Sequence, residues 1–248
     1  MNRILLFPQD FVSINHVRLT DYRAEHIRTI HRGYKGQILK VGLANGLVGE
    51  GYVMDIQKTH VSLQIGSLVQ PTPSSLNVSL ILALPRPQTL KKVLETISAF
   101  GVKKLFLINT ARVEKSFFSS KLLKDESWMK HVRLGLEQAG RTQIPEVTIH
   151  SSFTKFFQND FKSSNALKLI THPDGPSTIL DVKIPKENHI VCALGPEGGW
   201  LDSEINHFVS NGFQKISLGP TLHRVENAVC AFLAQIELLA VPPKKNHL

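Results

Sequence analysis

Cysteine is almost missing from this chain: 248 residues hold two, Cys192 and Cys230, with no CxxC pair and no Cys/His spacing that could hold zinc. That excludes a disulfide framework and a thiolate metal site, so both cysteines are expected as reduced core residues and no metal is expected. No leader is expected either. The apolar run that begins at Ile4 breaks at Pro8, too short for a signal peptide or a membrane span, which points to a cytoplasmic protein without a membrane partner. Negative charge is in the minority, 20 Asp and Glu against 29 Lys and Arg, and the formal charge of +9 favours a polyanionic partner. Internal repeats and low-complexity tracts are absent. What remains is 42% apolar content, enough for a sizeable core in one large domain or a small one joined to a medium one.

Up to about Leu68 the pattern is strand-like, at 36–41, 48–56 and 61–69, with one helical stretch at 20–30. Ala44-Asn45-Gly46 between two of these runs predicts a hairpin, because Asn and Gly tolerate positive φ. Gln70-Pro71-Thr72-Pro73-Ser74-Ser75 suits an extended connector and sets a boundary between domains at 1–70 and 76–248. Beyond it strands and helices alternate. Strands are predicted at 78–84, 104–108, 147–149, 166–170 and 189–194. One helix carries Leu90, Val93, Leu94 and Ile97 behind Thr89 as its cap and ends at Gly101; another, marked by Trp128, Met129, Val132 and Leu136, ends near Gly140, and a short one starts at Phe153. A last helix bears the apolar stripe Val225, Ala228, Val229, Phe232, Leu233, Ile236, Leu239 and Ala240. The alternation predicts an α/β fold with a mostly parallel sheet and helices on both faces.

Ligands in such sheets bind beyond the carboxyl ends of the strands, which singles out three loops. They are Thr171-His172-Pro173-Asp174-Gly175, Gly195-Pro196-Glu197-Gly198-Gly199-Trp200 and Gly219-Pro220-Thr221-Leu222-His223-Arg224. The second lets bare backbone approach a flat ligand while Pro196 stiffens the turn. It lacks the Lys and Ser/Thr of a P-loop and is not GxGxxG, so neither a nucleoside triphosphate nor a dinucleotide is indicated; an adenosine read by main-chain groups suits it. Asp202 reads as the cap of a helix at 203–210. The third loop runs into a strongly apolar helix whose first turn holds Arg224 and Glu226, the carboxylate well placed for the positive helix end.

These loops resemble a known family, the small-subunit ribosomal RNA uridine-N3 methyltransferases (RsmE), which are of SPOUT type. Members carry Leu/Ile-Gly-Pro-Glu-Gly-Gly and, further on, Leu-Gly-x-x-Leu/Ile-Leu-Arg-x-Glu-Thr-Ala. Here these read Leu194-Gly195-Pro196-Glu197-Gly198-Gly199 and Leu218-Gly219-Pro220-Thr221-Leu222-His223-Arg224-Val225-Glu226-Asn227-Ala228. The family's Glu-Gln-x-Gly-Arg appears as Glu137-Gln138-Ala139-Gly140-Arg141, its Ala-Leu-Pro-Lys as Ala83-Leu84-Pro85-Arg86, and its His…Leu-Arg segment as His26 with His31-Arg32. His223 and Asn227 replace a leucine and a threonine, and Thr96-Ile97-Ser98-Ala99-Phe100-Gly101-Val102 lacks the lysine and glutamate of the family's Lys-Ala-x-Glu-Leu-Gly-Val.

The resemblance implies a small PUA-like β-barrel for RNA docking at 1–70, then a SPOUT domain at 76–248 whose carboxyl-terminal part forms a trefoil knot. It implies S-adenosylmethionine in the knot loops, held by Thr171, His172, the Leu194–Gly199 loop, Leu218, Gly219, Leu222, His223 and Ala228. It also implies a homodimer with the active site near the subunit interface, and 16S ribosomal RNA of the small subunit as substrate. Arg224 is expected to stabilise the anionic base or a flanking phosphate, and Glu226 to orient Arg224 or line the pocket. His26, Arg32, Arg86 and Arg141 are expected on RNA, with Glu137 behind Arg141. His172 and His223 are candidate proton acceptors. Rival readings are a SPOUT enzyme acting on another RNA site, a non-catalytic RNA-binding assembly protein, and a nucleotide enzyme on an ordinary doubly wound sheet.

Overall fold

Alternating burial fixes the amino-terminal sheet. In a computed structural model describing residues 2–71, 76–162, 165–184 and 189–240, β1 (Ile4–Leu6), β2 (Phe11–Ser13), β3 (His16–Leu19), β4 (Ile38–Leu43), β5 (Val48–Ile56) and β6 (Val61–Val69) form one sheet. The residues 72–75 of the expected connector lie outside the described residues. Period-two spacing brings Val17 and Leu19 of β3 and Val61, Leu63 and Ile65 of β6 into a common core. The order is β1-β4-β5-β6-β3-β2, antiparallel except for β1 beside β4. The predicted hairpin joins β4 to β5 with Asn45 at φ 57°. Helix α1 (Tyr22–Thr29) starts at Asp21, whose carboxylate accepts from the Arg23 amide, and buries Ala24 and Ile27.

The chain divides into two compact units, Met1–Pro73 with Arg133–Ile144, and Ser74–Val132 with Pro145–Leu248. A single cut at the connector would leave Arg133–Ile144 in the second. Glu137 shows why that segment belongs to the first: its carbonyl accepts from the amides of Asn2 (2.9 Å) and Arg3 (3.1 Å), Oε1 from the Leu5 amide (3.2 Å) and Oε2 from the Tyr22 hydroxyl (2.9 Å). Glu137 is 2% exposed, so it sits inside this unit. Asn45 Oδ1 accepts from the Ile144 amide at 2.8 Å, and Thr142 Oγ1 donates to the Gly46 carbonyl at 2.9 Å.

In the second unit β7 (Val78–Ala83), β8 (Lys104–Ile108), β9 (Glu146–His150), β10 (Leu167–Thr171), β11 (Ser177–Thr178), β12 (Ile190–Leu194) and β13 (Gln214–Ser217) form an all-parallel sheet in the order β11-β13-β10-β12-β7-β8-β9. Between and after them come α2 (Pro87–Phe100), the single turns α3 (Lys115–Phe118) and α4 (Lys121–Lys124), α5 (Trp128–Ala139), which passes into the first unit at Arg133, α6 (Phe153–Lys155) running into a π turn at Phe156–Asp160, α7 (Asp202–Ser210) and α8 (Val225–Ala240). Leu90, Val93, Leu94 and Ile97 of α2 are buried, as are Val229, Phe232, Leu233 and Ile236 of α8, and the two helices pack together.

Four expectations are corrected. Thr89 is not a cap: α2 begins at Pro87, whose missing N–H costs nothing in a first turn, with Arg86 as the cap position. Asp202 is the first residue of α7 and does not cap it. Glu204 does, its Oε2 accepting from the Leu201 amide at 2.8 Å while Oε1 accepts from the Ala111 amide at 2.8 Å. Cys192 is buried, whereas Cys230 is exposed, because it falls one step round the helix from Val229 and off the inward stripe. The stripe itself stops at Ile236, since Leu239 is 41% exposed.

Candidate active site

The carboxyl ends of β10, β12 and β13 open into a cavity of about 980 Å³ in the second unit. It brings together Thr171 and His172, the whole Leu194–Gly199 segment, and Leu218, Gly219, Leu222, His223 and Ala228. Arg224, Glu226 and Arg86 line it as well, whereas His26, Arg32 and Arg141 belong to the first unit. His26 sits edge-on to His31 at 4.9 Å, and burial is the largest cause that lowers its pKa.

Each loop is shaped by its own chemistry. His172 Nδ1 accepts from the Asp174 amide at 3.1 Å, so that nitrogen is already engaged, and the His172 amide donates to the Ile216 carbonyl at 2.9 Å. A Cβ on Gly195 would stand 3.1 Å from Nε1 of Trp200 and 3.2 Å from the adjoining ring carbon, so any other residue would press on the indole by a few tenths of an ångström. Glu197 Oε1 accepts from the Arg86 amide at 3.1 Å, tying the glycine loop to the start of α2. In the third loop Gly219 adopts φ +127°, Ser217 Oγ donates to its carbonyl at 3.0 Å, and Gln235 of α8 donates to the Leu218 carbonyl at 3.1 Å.

Lys92, Arg112 and Trp200 also line the cavity, and sequence reasoning gave them no role. Arg112 Nη1 donates to the Gly198 carbonyl at 2.6 Å, and its stem lies 3.3 Å from where a Gly198 Cβ would be. It follows β8, so applying the strand-end rule to every strand would have found it. Lys92 pairs with Glu226 at 3.3 Å across α2 and α8. Glu226 therefore answers a lysine directly; its own backbone amide, then Lys92 and Arg224, hold its carboxyl below the usual carboxylate range.

Arg86, Arg112, Arg224 and Lys92 are all exposed at the cavity, against two carboxylates that are each already bonded. The excess of cations suits phosphate. Inside, the Trp200 ring is 5% exposed and its Nε1–H has no protein partner, a donor awaiting an acceptor. Bare glycine backbone, an apolar wall and an unanswered donor in a volume of this size fit S-adenosylmethionine. Among the described residues no three His, Cys, Asp or Glu side chains are grouped to hold a metal, and no helix is long and apolar enough to cross a membrane.

The family model for the RNA methyltransferase domain matches residues 72–237. The chain is 28% identical over 238 residues to a ribosomal RNA small subunit methyltransferase E of Treponema pallidum, covering 94% of this chain and 90% of that one. A protein of the same name from Synechocystis is 28% identical over 242 residues, with 96% and 77% covered. Among solved structures, the ribosomal RNA small subunit methyltransferase E of Neisseria gonorrhoeae bound to S-adenosyl methionine shares the fold, with a TM-score of 0.81 at 24% identity over 96% of this chain and 98% of that one.

Proposed function

The chain belongs to the RNA methyltransferase domain family, and we propose that it transfers a methyl group from S-adenosylmethionine to N3 of a uracil in the 16S RNA of the small ribosomal subunit. The observation that carries this is the convergence of three loops, Thr171–His172, Leu194–Gly199 and Leu218–Ala228, on one cavity within the matched region.

The cofactor would be held by the main chain of Leu194–Gly199 and of Leu218–Gly219, with Trp200 beneath Gly195. When bound it supplies an electrophilic methyl group. Uracil N3 carries a proton and attacks poorly until that proton passes to a base, for which His172 and His223 stand at the cavity, so the protein's task is to take up the proton, align the ring and stabilise the anion. Arg224, exposed at the cavity and unencumbered by Glu226's bond to Lys92, does the second. Arg86 and Arg112 hold the flanking phosphates. The target base is extruded from its stack to reach the site.

The first unit, a mostly antiparallel six-stranded sheet, acts as a PUA-like barrel that docks RNA through His26, Arg32 and Arg141. The carboxyl-terminal part of the second unit is threaded into a SPOUT trefoil knot, and the protein works as a cytoplasmic homodimer. Supporting the dimer, α8 exposes Cys230, Ala234 and Leu238 at every fourth position, an apolar row on a helix already packed on its other side. The test is to incubate the protein with radiolabelled S-adenosylmethionine and undermethylated small subunits, digest the RNA and identify the labelled nucleoside. Label in 3-methyluridine is the expected result; label in another nucleoside moves the target, and no label with no cofactor binding overturns the reading.

A further inference from the structure

A second crevice opens at the carboxyl ends of β8 and β9, with a volume of about 440 Å³, and the proposed reaction gives it no role. Its walls are chemically specific. Thr110 is 6% exposed, yet its Oγ1 has no hydrogen-bond partner, and Asn109 Oδ1 is likewise buried without one. Asn109 is fixed in orientation, since Nδ2 donates to the Ser151 carbonyl at 3.1 Å, which leaves its oxygen as a pure acceptor. The Thr110 hydroxyl can donate or accept. Beside them stands Phe153, half-buried, its ring braced by Phe157 and His207 at 5.0 and 5.3 Å.

An aromatic wall next to a buried acceptor and a buried hydroxyl is the recognition chemistry of an unstacked nucleobase. The position agrees. Ala111 lines this crevice and Arg112 the first cavity; Leu201 lines this crevice and Trp200 the first cavity. The two openings are thus one residue apart at two points, roughly 3.8 Å of chain, and Arg112 stands at the junction where a phosphate joining two nucleotides would pass.

We propose that the Asn109–Thr110–Phe153 crevice is a second nucleotide subsite, which holds an unpaired base beside the methylated one. The inference rests on the RNA-methylating function proposed above and adds a substrate-selecting site to it. A base splayed into this crevice would help to hold its extruded neighbour over the first cavity.

The test compares the wild type with Thr110→Val, which keeps the shape and removes the hydroxyl, and with Phe153→Leu, which keeps an apolar side chain and removes the ring. The KM for undermethylated small subunits, the cofactor Kd and the melting temperature are measured for each. The expected result is a KM for subunits raised about tenfold in Phe153→Leu, the loss of one base–aromatic stack, with cofactor Kd and melting temperature unchanged. An unchanged KM alongside normal transfer overturns the proposal and leaves the crevice to ordered water. A cofactor Kd that moves together with KM also overturns it, showing that the residues only support the neighbouring loop. If the wild type transfers no methyl group to subunits, the proposed function fails first; titration of a single-stranded RNA oligonucleotide then decides, weaker binding by Phe153→Leu supporting the subsite and equal binding overturning it.

Discussion

Lys92 Nζ lies 3.3 Å from Glu226 Oε1, joining the outer side of α2 to the first turn of α8 at the rim of the cavity. The lysine side chain is 65% exposed, so solvent screens the pair and its contribution to stability is small. Its interest lies in the company that Glu226 keeps, because Arg224 as well as Lys92 acts on this carboxylate. Lys92→Met is expected to shift the melting temperature by no more than a degree or two, a change below about 1 kcal/mol, and to lower methyl transfer measurably as Glu226 turns to Arg224. Unchanged kcat/KM would show that Arg224 does not depend on this arrangement.

Arg224→Ala should abolish transfer, by a hundredfold or more if the guanidinium supplies a single electrostatic contact to the developing charge, about 3 kcal/mol. Cofactor affinity and secondary structure should be retained, because Arg224 is exposed and holds no part of the core. Full activity in this variant, with the fold verified by circular dichroism, would remove Arg224 from the reaction.

Gly195→Ala places a methyl group 3.1 to 3.3 Å from three atoms of the Trp200 indole. The indole has little room to retreat, being 5% exposed, so the loop must lift. Cofactor affinity measured by calorimetry should fall at least tenfold while the protein remains folded. Retained affinity would mean that the loop accommodates the extra carbon without moving the main chain that binds.

Glu137 provides a test by pH. Burial is the largest cause of its pKa, raised to about 7, against the opposing bonds from Leu5 and Tyr22. Its ordinary value is 4.5, so between pH 4.5 and about 7 the folded protein binds the proton that the unfolded chain has lost. The protonated form's advantage is complete below the unfolded value and is lost as pH rises through about 7, an effect of about 3 kcal/mol at most. Glu137→Gln should flatten this slope in melting temperature against pH. An equally steep slope in the variant would assign the dependence to another group.

Much of the site was legible because its signals are local. Gly195, Pro196 and Gly219 announce turns through backbone chemistry, and strand ends of a parallel sheet announce ligands, so three loops could be chosen before any contact was known. Arg112 was missed because the strand-end rule was not carried to β8, and Lys92 because its partner Glu226 is over 100 positions away and nothing in its own neighbourhood betrays it. Thr89 and Asp202 show the limit of cap signatures, since α2 already starts at Pro87 with no side-chain cap, and at α7 a glutamate two residues further on caps instead. Cys230 shows that an apolar helix does not bury all of its apolar residues. Its two faces differ by one step in sequence.

The assignment of Arg133–Ile144 to the amino-terminal unit has a consequence for how the protein is made. Leu5 waits for a carboxylate 132 positions downstream. A ribosome that has released residues 1–73 has therefore released a sheet lacking partners for the amides of Asn2, Arg3 and Leu5. Domains usually fold in the order in which they emerge, but here full pairing of the amino-terminal unit has to wait until residues 74–132 of the second unit have been synthesised.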